Sequence, residues 1–118
     1  MDMTYIKIDN KQIEATISGK MRDSDWDNRE SKTITCTMTY TEAIETFVDD
    51  AVWSIIYQAD SYTDPDTNEV VTPDPVEYDN SDYCVAGPIT DNRNGTVIIK
   101  MGKHTDAELL AILEEAIR

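Results

Sequence analysis

Between Lys32 and Tyr40 the sequence alternates strictly between apolar residues and threonines. The apolar series is Ile34, Cys36, Met38 and Tyr40. Because successive side chains of a β-strand point to opposite faces, this segment predicts a strand with one buried and one hydrated face. Such strands are typical of antiparallel sheets. The chain is therefore expected to fold around an antiparallel sheet, with Cys36 as a packing residue in its core.

Two strands are predicted before this segment. Residues 5–8 and 13–17 are rich in β-branched side chains, and the Asp-Asn-Lys sequence between them is typical of a tight hairpin turn. Gly19 is expected to end the second strand. Residues 22–31 are polar apart from one tryptophan and fit neither period, so they predict a loop.

The second half of the chain predicts more strands. Residues 51–57 are apolar on both faces, which indicates an internal strand. Residues 62–71 predict a hairpin with its tip at 64–68, and the two prolines in 72–77 favour an extended, exposed segment. Two final strands are predicted at 83–87 and 95–101, joined by a turn that contains Asn94-Gly95.

Two helices are predicted. Residues 41–48 place Ile44, Phe47 and Val48 on one face, with Thr41 as the N-cap. Near the C-terminus, Thr105 and Glu108 have the spacing of a capping box, in which each side chain bonds the backbone of the other residue. The apolar stripe of this second helix consists of Leu109, Leu110, Leu113, Ala116 and Ile117. It is expected to pack onto a sheet face or onto a partner subunit.

These elements predict an α+β fold in a single domain of residues 1–118. The expected architecture is a mainly antiparallel sheet of about six or seven strands that could curl toward a barrel. A short middle helix and a C-terminal amphipathic helix complete it.

The charge balance excludes several classes of partner. The chain has 24 Asp and Glu against 10 Lys and Arg, a net charge of −14, so binding to nucleic-acid phosphates or anionic lipid is not expected. No apolar run approaches the roughly 18 residues of a membrane span, and the first residues do not resemble a secretion signal. The protein is therefore predicted to stay in the cytoplasm where it is made, with Cys36 and Cys84 as free thiols.

No catalytic or metal-binding constellation is visible in the sequence. Residues 23–27 and 64–68 resemble the start of a calcium loop, but each lacks the glycine and the glutamate that complete one. His104, the only histidine, is interpreted as a polar linker residue before the helix cap. We therefore expect no catalytic residue, no metal site, no cofactor and no enzymatic activity.

Trp26 is the one large aromatic residue in an acidic, irregular segment. It either anchors the segment to the core or is presented to a partner, since aromatic residues are favoured at the centres of interfaces. The residues predicted to contact a partner are Asp25, Trp26, Asp27, Pro73 and Pro75.

Four stretches also suggest a family. They are SG at 18–19, WDNRESKTI at 26–34, WSI at 53–55 and YDNSDYCVAG at 78–87. Together they resemble small acidic proteins encoded among the tail-module genes of Firmicutes prophages. The resemblance implies a non-catalytic tail or virion component that binds other virion proteins, or copies of itself, first in the cytoplasm and then in the virion. The alternative is an acidic inhibitor or DNA mimic that binds a basic host protein.

Overall fold

The computed structural model of the chain describes residues 3–116, so Ile117 of the predicted apolar stripe lies outside the described residues. The described part is α+β, as predicted. Its strands are β1 (Met3–Ile8), β2 (Lys11–Asp23), β3 (Arg29–Thr37), β4 (Trp53–Gln58), β5 (Tyr62–Thr63), β6 (Val70–Val71), β7 (Val76–Asp79), β8 (Val85–Asp91) and β9 (Thr96–Gly102). Its helices are α1 (Tyr40–Thr46) and α2 (Asp106–Ala116).

Seven of the strands form one antiparallel sheet. Their order is β7-β4-β1-β2-β3-β9-β8, and β5 pairs with β6 in a separate hairpin. Within residues 3–116 the sheet stays open and does not close into a barrel. The internal position predicted for residues 51–57 is confirmed, because β4 lies between β7 and β1.

Strand β2 is longer than the sequence predicts because its first part, up to Glu14, pairs with β1 and its second part, from Ala15 onward, pairs with β3. The predicted end at Gly19 is therefore wrong. The predicted loop at 22–31 is also too long, since only 24–28 form turns between β2 and β3. The predicted β1–β2 turn is confirmed, with Asp9 and Asn10 both at positive φ.

The core lies on one face of the sheet, where the alternation in β3 is confirmed: Ile34 and Cys36 are buried. The indole Nε1 of Trp53 donates a hydrogen bond of 3.1 Å to the carbonyl of Tyr83, which ties β4 to the segment before β8. The fully buried apolar side chains include Ile6, Ile34, Val97, Ile99 and Met101.

Helix α1 begins earlier than predicted. Its N-cap is Thr39, whose hydroxyl accepts a hydrogen bond from the backbone of Glu42, so β3 ends at Thr37 and the assignment of Thr41 as N-cap is wrong. The helix buries Ala43, and Phe47 at its C-cap is also buried, whereas Ile44 and Val48 of the predicted apolar face are about half exposed. The Thr39 cap fixes where the helix starts and therefore which side faces the core.

The two edge strands also differ from their predictions. The segment 72–77 was predicted to be extended and exposed; its last two residues begin strand β7, which pairs with β4 and exposes Glu77 and Asp79. Strand β8 begins at Val85, so Cys84 precedes the strand in which it was predicted. A register shift interrupts β8 between Ala86 and Ile89, next to Pro88.

Helix α2 follows β9 directly, and its predicted capping box is confirmed. The Thr105 backbone donates to Glu108 Oε1 at 2.9 Å, and the Glu108 backbone donates to Thr105 Oγ1 at 3.2 Å. Among the described residues, neither helix is long and apolar enough to cross a membrane.

Candidate functional site

Arg29 fastens the first turn of α2 to the sheet. Its guanidinium donates two hydrogen bonds to the carboxylate of Glu108, of 2.8 and 2.9 Å, and one of 3.1 Å to the carbonyl of Lys103. The side chain of Arg29 is almost fully buried at the start of β3. This paired, charge-assisted geometry holds the base of α2 in one orientation against β3.

Trp26 is packed beneath the same guanidinium. The Arg29 Cζ lies 4.6 Å from the centre of the Trp26 ring. The ring edge faces Gly87 in β8 and Gly102 at the end of β9, where an added Cβ would lie 2.6 and 2.8 Å from ring carbons. Trp26 therefore anchors the β2–β3 turn to the sheet, which is the first of the two alternatives left open by the sequence.

The buried side chain of Asp23 stabilises the β2–β3 turn that contains Trp26. Its Oδ2 accepts hydrogen bonds from Lys100 Nζ at 2.8 Å and from Ser31 Oγ at 3.0 Å, and its Oδ1 accepts from the backbone of Asp25. The bond from Lys100 lowers the pKa of the Asp23 carboxyl. Asp23 would be the first ligand of a calcium loop at 23–27, but its carboxylate is already used in hydrogen bonds inside the protein.

Glu108 takes part in the capping box and also accepts the two hydrogen bonds from Arg29, a pair of bonds that we call the clamp. The hydrogen bonds from Arg29, followed by the one from the backbone of Thr105, lower its pKa from 4.5 to about 2. His104 Nδ1 lies 3.5 Å from Glu108 Oε1. The nitrogen is buried and has no hydrogen-bond partner.

A second polar cluster lies beside this clamp. The hydroxyl of Tyr83 donates a hydrogen bond to the carboxylate of Glu30, and Lys103 Nζ lies 3.4 Å from Glu30 Oε1 and 3.2 Å from Asp82 Oδ2. Burial, and then the bond to Glu30, raise the pKa of Tyr83. The same bond lowers the pKa of the Glu30 carboxyl. The connection from β9 to α2 is therefore fixed by charge pairs on both sides.

Beyond its first turn, α2 exposes an apolar surface. We call this surface the leucine face; it consists of Leu109, Leu110, Ile112 and Leu113, which are 46%, 58%, 48% and 61% exposed. No residue of α2 from Asp106 to Ala116 is buried, so no described strand or helix covers the leucine face. The charged residues of α2 itself are all carboxylates, Asp106, Glu108, Glu114 and Glu115. Arg22 and Lys103 line the same surface depression as Leu109, at the base of the helix.

The predicted partner contacts lie at two separate places. Asp25 and Asp27 are exposed on the β2–β3 turn, near the base of α2. Pro73 is half-buried, and its carbonyl accepts a hydrogen bond from Gln58 Nε2 at the β4–β7 edge, with Pro75 exposed beyond it. The structure does not bring the two groups together, and their contact with a partner stays a prediction.

The leucine face is the stronger candidate for a binding surface. In comparisons with known proteins, no family model, no curated protein and no solved structure matches the chain. The function is therefore inferred from α2 and its base. Sequence reasoning found the apolar stripe but not the clamp, because Arg29 and Glu108 are 79 residues apart in the chain.

One set of described residues could hold a metal ion. Asp50, Cys84 and His104 bring a carboxylate oxygen, a thiol sulfur and an imidazole nitrogen within 4.8 Å of one another. Burial, and then the charge of Asp50, raise the pKa of the Cys84 thiol. Sequence reasoning missed this group because its members lie in three separate connections and match no ligand-spacing motif.

Proposed function

We propose that the protein is a non-catalytic assembly component that binds another protein through the leucine face of α2. The observation that carries this proposal is an apolar helix face left exposed on a helix whose base is clamped to the sheet. A helix of this kind binds by inserting its apolar side chains into a groove of the partner.

The cost of exposure supports the proposal. Complete burial of a leucine or isoleucine side chain contributes roughly 1.5–3 kcal/mol, so covering four side chains that are about half exposed would contribute several kcal/mol. Isolated apolar residues on a surface are ordinary, whereas a contiguous group on one helix face is typical of an interface.

The charges define the chemistry of the partner. Residues 106–116 contain four carboxylates and no cation, on a chain with a net charge of −14, and of the four only Glu108 is paired with Arg29. A groove lined by apolar residues and rimmed by lysine or arginine would complement this surface, whereas pairing of two α2 helices would bring like charges together. We therefore propose a basic-rimmed protein groove as the occupant, and not a second copy of this chain.

The clamp lowers the cost of binding. Because Arg29 and the capping box fix the first turn, α2 is already helical and oriented before it meets its partner. A helix that is ordered beforehand loses less conformational entropy on binding than a disordered segment. In the setting that the prophage resemblance implies, the partner is another tail or virion protein met during assembly in the cytoplasm.

The test uses a double substitution, Leu110→Gln with Leu113→Gln, which removes apolar surface and keeps good helix formers. Its matched control is Met21→Gln with Val52→Gln, since Met21 and Val52 are about 80% exposed and neither belongs to α2. Affinity is measured for each purified product of the adjacent genes. We expect the first variant to bind its partner at least 10-fold more weakly and the control to bind normally.

Three results would contradict the proposal. One is equal binding by the two variants. Another is loss of binding only when Asp25 and Trp26 are replaced, which would move the interface to the β2–β3 turn. The third is a purified protein that sediments as a dimer and becomes monomeric with the double substitution. Binding only to DNA-binding host proteins, unaffected by the α2 variant, would favour the DNA-mimic alternative.

A further inference from the structure

We propose that Asp50, Cys84 and His104 form a binding site for one Zn²⁺ ion. Their ligand atoms lie within 4.8 Å of one another, although the three residues come from distant parts of the chain. Sulfur, imidazole nitrogen and carboxylate oxygen are the three ligand types that Zn²⁺ takes in proteins. Three protein ligands leave the fourth tetrahedral position to water or to a group from a partner.

The backbone already holds two of the ligands together. The N–H of Asp50 donates a hydrogen bond of 2.8 Å to the carbonyl of Cys84. Next to it, Asp49 Oδ1 accepts a hydrogen bond of 2.8 Å from the backbone of Ala86. The α1–β4 connection is thus fastened to the start of β8, so Asp50 and Cys84 need only side-chain rotation to close on an ion.

The third ligand is held just as firmly from the other side. The backbone of Lys103 donates to the carbonyl of Glu30 at 2.9 Å, and Thr105 begins the capping box. His104 lies between these two fixed points. Its Nδ1 is buried without a hydrogen-bond partner, a cost that an N–H oriented toward Glu108 would remove when Nε2 binds the metal.

The surroundings favour a divalent cation. Glu108 Oε1 lies 3.5 Å from His104 Nδ1, and a carboxylate beside a histidine ligand is a recurring feature of zinc sites, where it orients the imidazole. Neighbouring carboxylates add negative charge around the thiol. Binding forms a Zn–S bond, breaks the S–H bond of Cys84 and releases the proton to solvent.

The set also differs from the calcium sites that the sequence argues against. Calcium prefers six or more oxygen ligands, whereas this group offers sulfur and nitrogen. An ion at this position would join three connections, α1–β4, β7–β8 and β9–α2, and would brace the base of α2 at His104.

The first experiment is calorimetric titration of the full chain with Zn²⁺, together with Co²⁺ binding followed by the thiolate-to-metal charge-transfer absorption. We expect one ion per chain. Cys84→Ser and His104→Gln are each expected to weaken binding at least 10-fold, and Cys84→Ser to abolish the charge-transfer absorption. The controls are Asp66→Asn, an exposed acid in the β5–β6 turn, and Cys36→Ala, which removes the other thiol.

A second measurement uses the unaltered chain, so it does not depend on the variants folding. Zn²⁺ at one equivalent is expected to slow alkylation of Cys84 at least 10-fold, and Ca²⁺ at the same concentration to leave it unchanged. The proposal is overturned if Zn²⁺ does not protect Cys84, if binding is unchanged in Cys84→Ser, or if several ions bind weakly and equally in the Asp66→Asn control.

Discussion

At the scale of single residues, the contacts of Glu108 include one that the sequence predicts and one, with Arg29, that it does not. The spacing of Thr105 and Glu108 predicts the capping box correctly. Nothing in the sequence indicates that the same glutamate is also bound by an arginine 79 residues earlier. Periodicity and caps are local signals, whereas the contact between β3 and α2 depends on β9, which precedes α2, lying beside β3 in the sheet.

The glycines beneath Trp26 give a test at this scale. Gly87→Ala would place a Cβ 2.6 Å from the Trp26 ring and 3.0 Å from the backbone of Lys100. The ring must move, so we expect a loss of about 1–3 kcal/mol in unfolding free energy, the usual cost of overpacking. Chemical denaturation measures the loss, and a shift in tryptophan fluorescence would report the displaced ring.

The matched control is Gly19→Ala in β2. An added Cβ there would meet only ordinary contacts, the nearest at 3.8 Å from the Ser31 carbonyl oxygen. We expect the change in stability to stay within about 0.5 kcal/mol. Equal effects of the two substitutions would mean that Trp26 does not pack on β8.

The pKa of Glu108 predicts a pH-dependent release of α2. Because Arg29 lowers this pKa to about 2 in the folded state, the stabilisation is complete above 4.5 and disappears as the pH falls toward 2. Glu108 is 40% exposed, so solvent screening reduces the stabilisation to about 1 kcal/mol. Chemical shifts of α2 followed by NMR should change across this pH range.

Glu108→Gln is the matching variant, because it keeps the size of the side chain and removes its charge. It should weaken the base of α2 at neutral pH and should show little further change between pH 4.5 and 2. An α2 that responds to acid equally in both proteins would assign the effect to other carboxylates.

At the scale of elements, the sequence predicts the existence of most strands and helices better than their limits. The alternation in β3 and the Asp9-Asn10 turn are correct because each depends only on neighbouring residues. The limits of β2 and the presence of β7 depend on pairing with distant strands, which no local period records. The predicted start of α1 is wrong because Thr39 and Thr41 are both suitable N-cap residues, and the structure shows that Thr39 is the one used.

Thr105→Ala tests whether α2 unfolds independently of the sheet. Loss of an N-cap costs about 1 kcal/mol. Because no residue of α2 from Asp106 to Ala116 is buried, we expect the loss to appear as faster amide hydrogen exchange within α2. The melting temperature of the sheet should hardly change.

Thr39→Ala is the comparison, since it removes the N-cap of a helix that packs on the core through Ala43 and ends at the buried Phe47. It should lower the melting temperature. A similar fall for Thr105→Ala would show that α2 is coupled to the sheet beyond its first turn.

At the scale of the whole molecule, the protein is elongated. Its extents are 64 × 36 × 28 Å and its radius of gyration is 17.5 Å, whereas a compact chain of this length has roughly 13 Å. The α+β class and the seven-stranded sheet agree with the sequence. The elongation was not predictable, because no local pattern records that α2 and the β5–β6 hairpin pack so little against the seven-stranded sheet.

Small-angle X-ray scattering can test this shape directly. We expect a radius of gyration near 17.5 Å for the monomer at low concentration. A value near that of a compact chain would mean that α2, or the separate β5–β6 hairpin, folds back onto the sheet in solution, and the same measurement on a chain ending at residue 105 would distinguish the two. If α2 is the element that folds back, the leucine face would not be available to a partner.

The edges of the sheet have a consequence for handling and for assembly. Strand β7 is four residues long and presents Glu77 and Asp79, and β8 is broken by its register shift beside Pro88. Charged, short or interrupted edges resist the addition of further strands from neighbouring molecules. The protein should therefore remain dispersed at high concentration and resist fibril formation, so that crowding alone does not polymerise it.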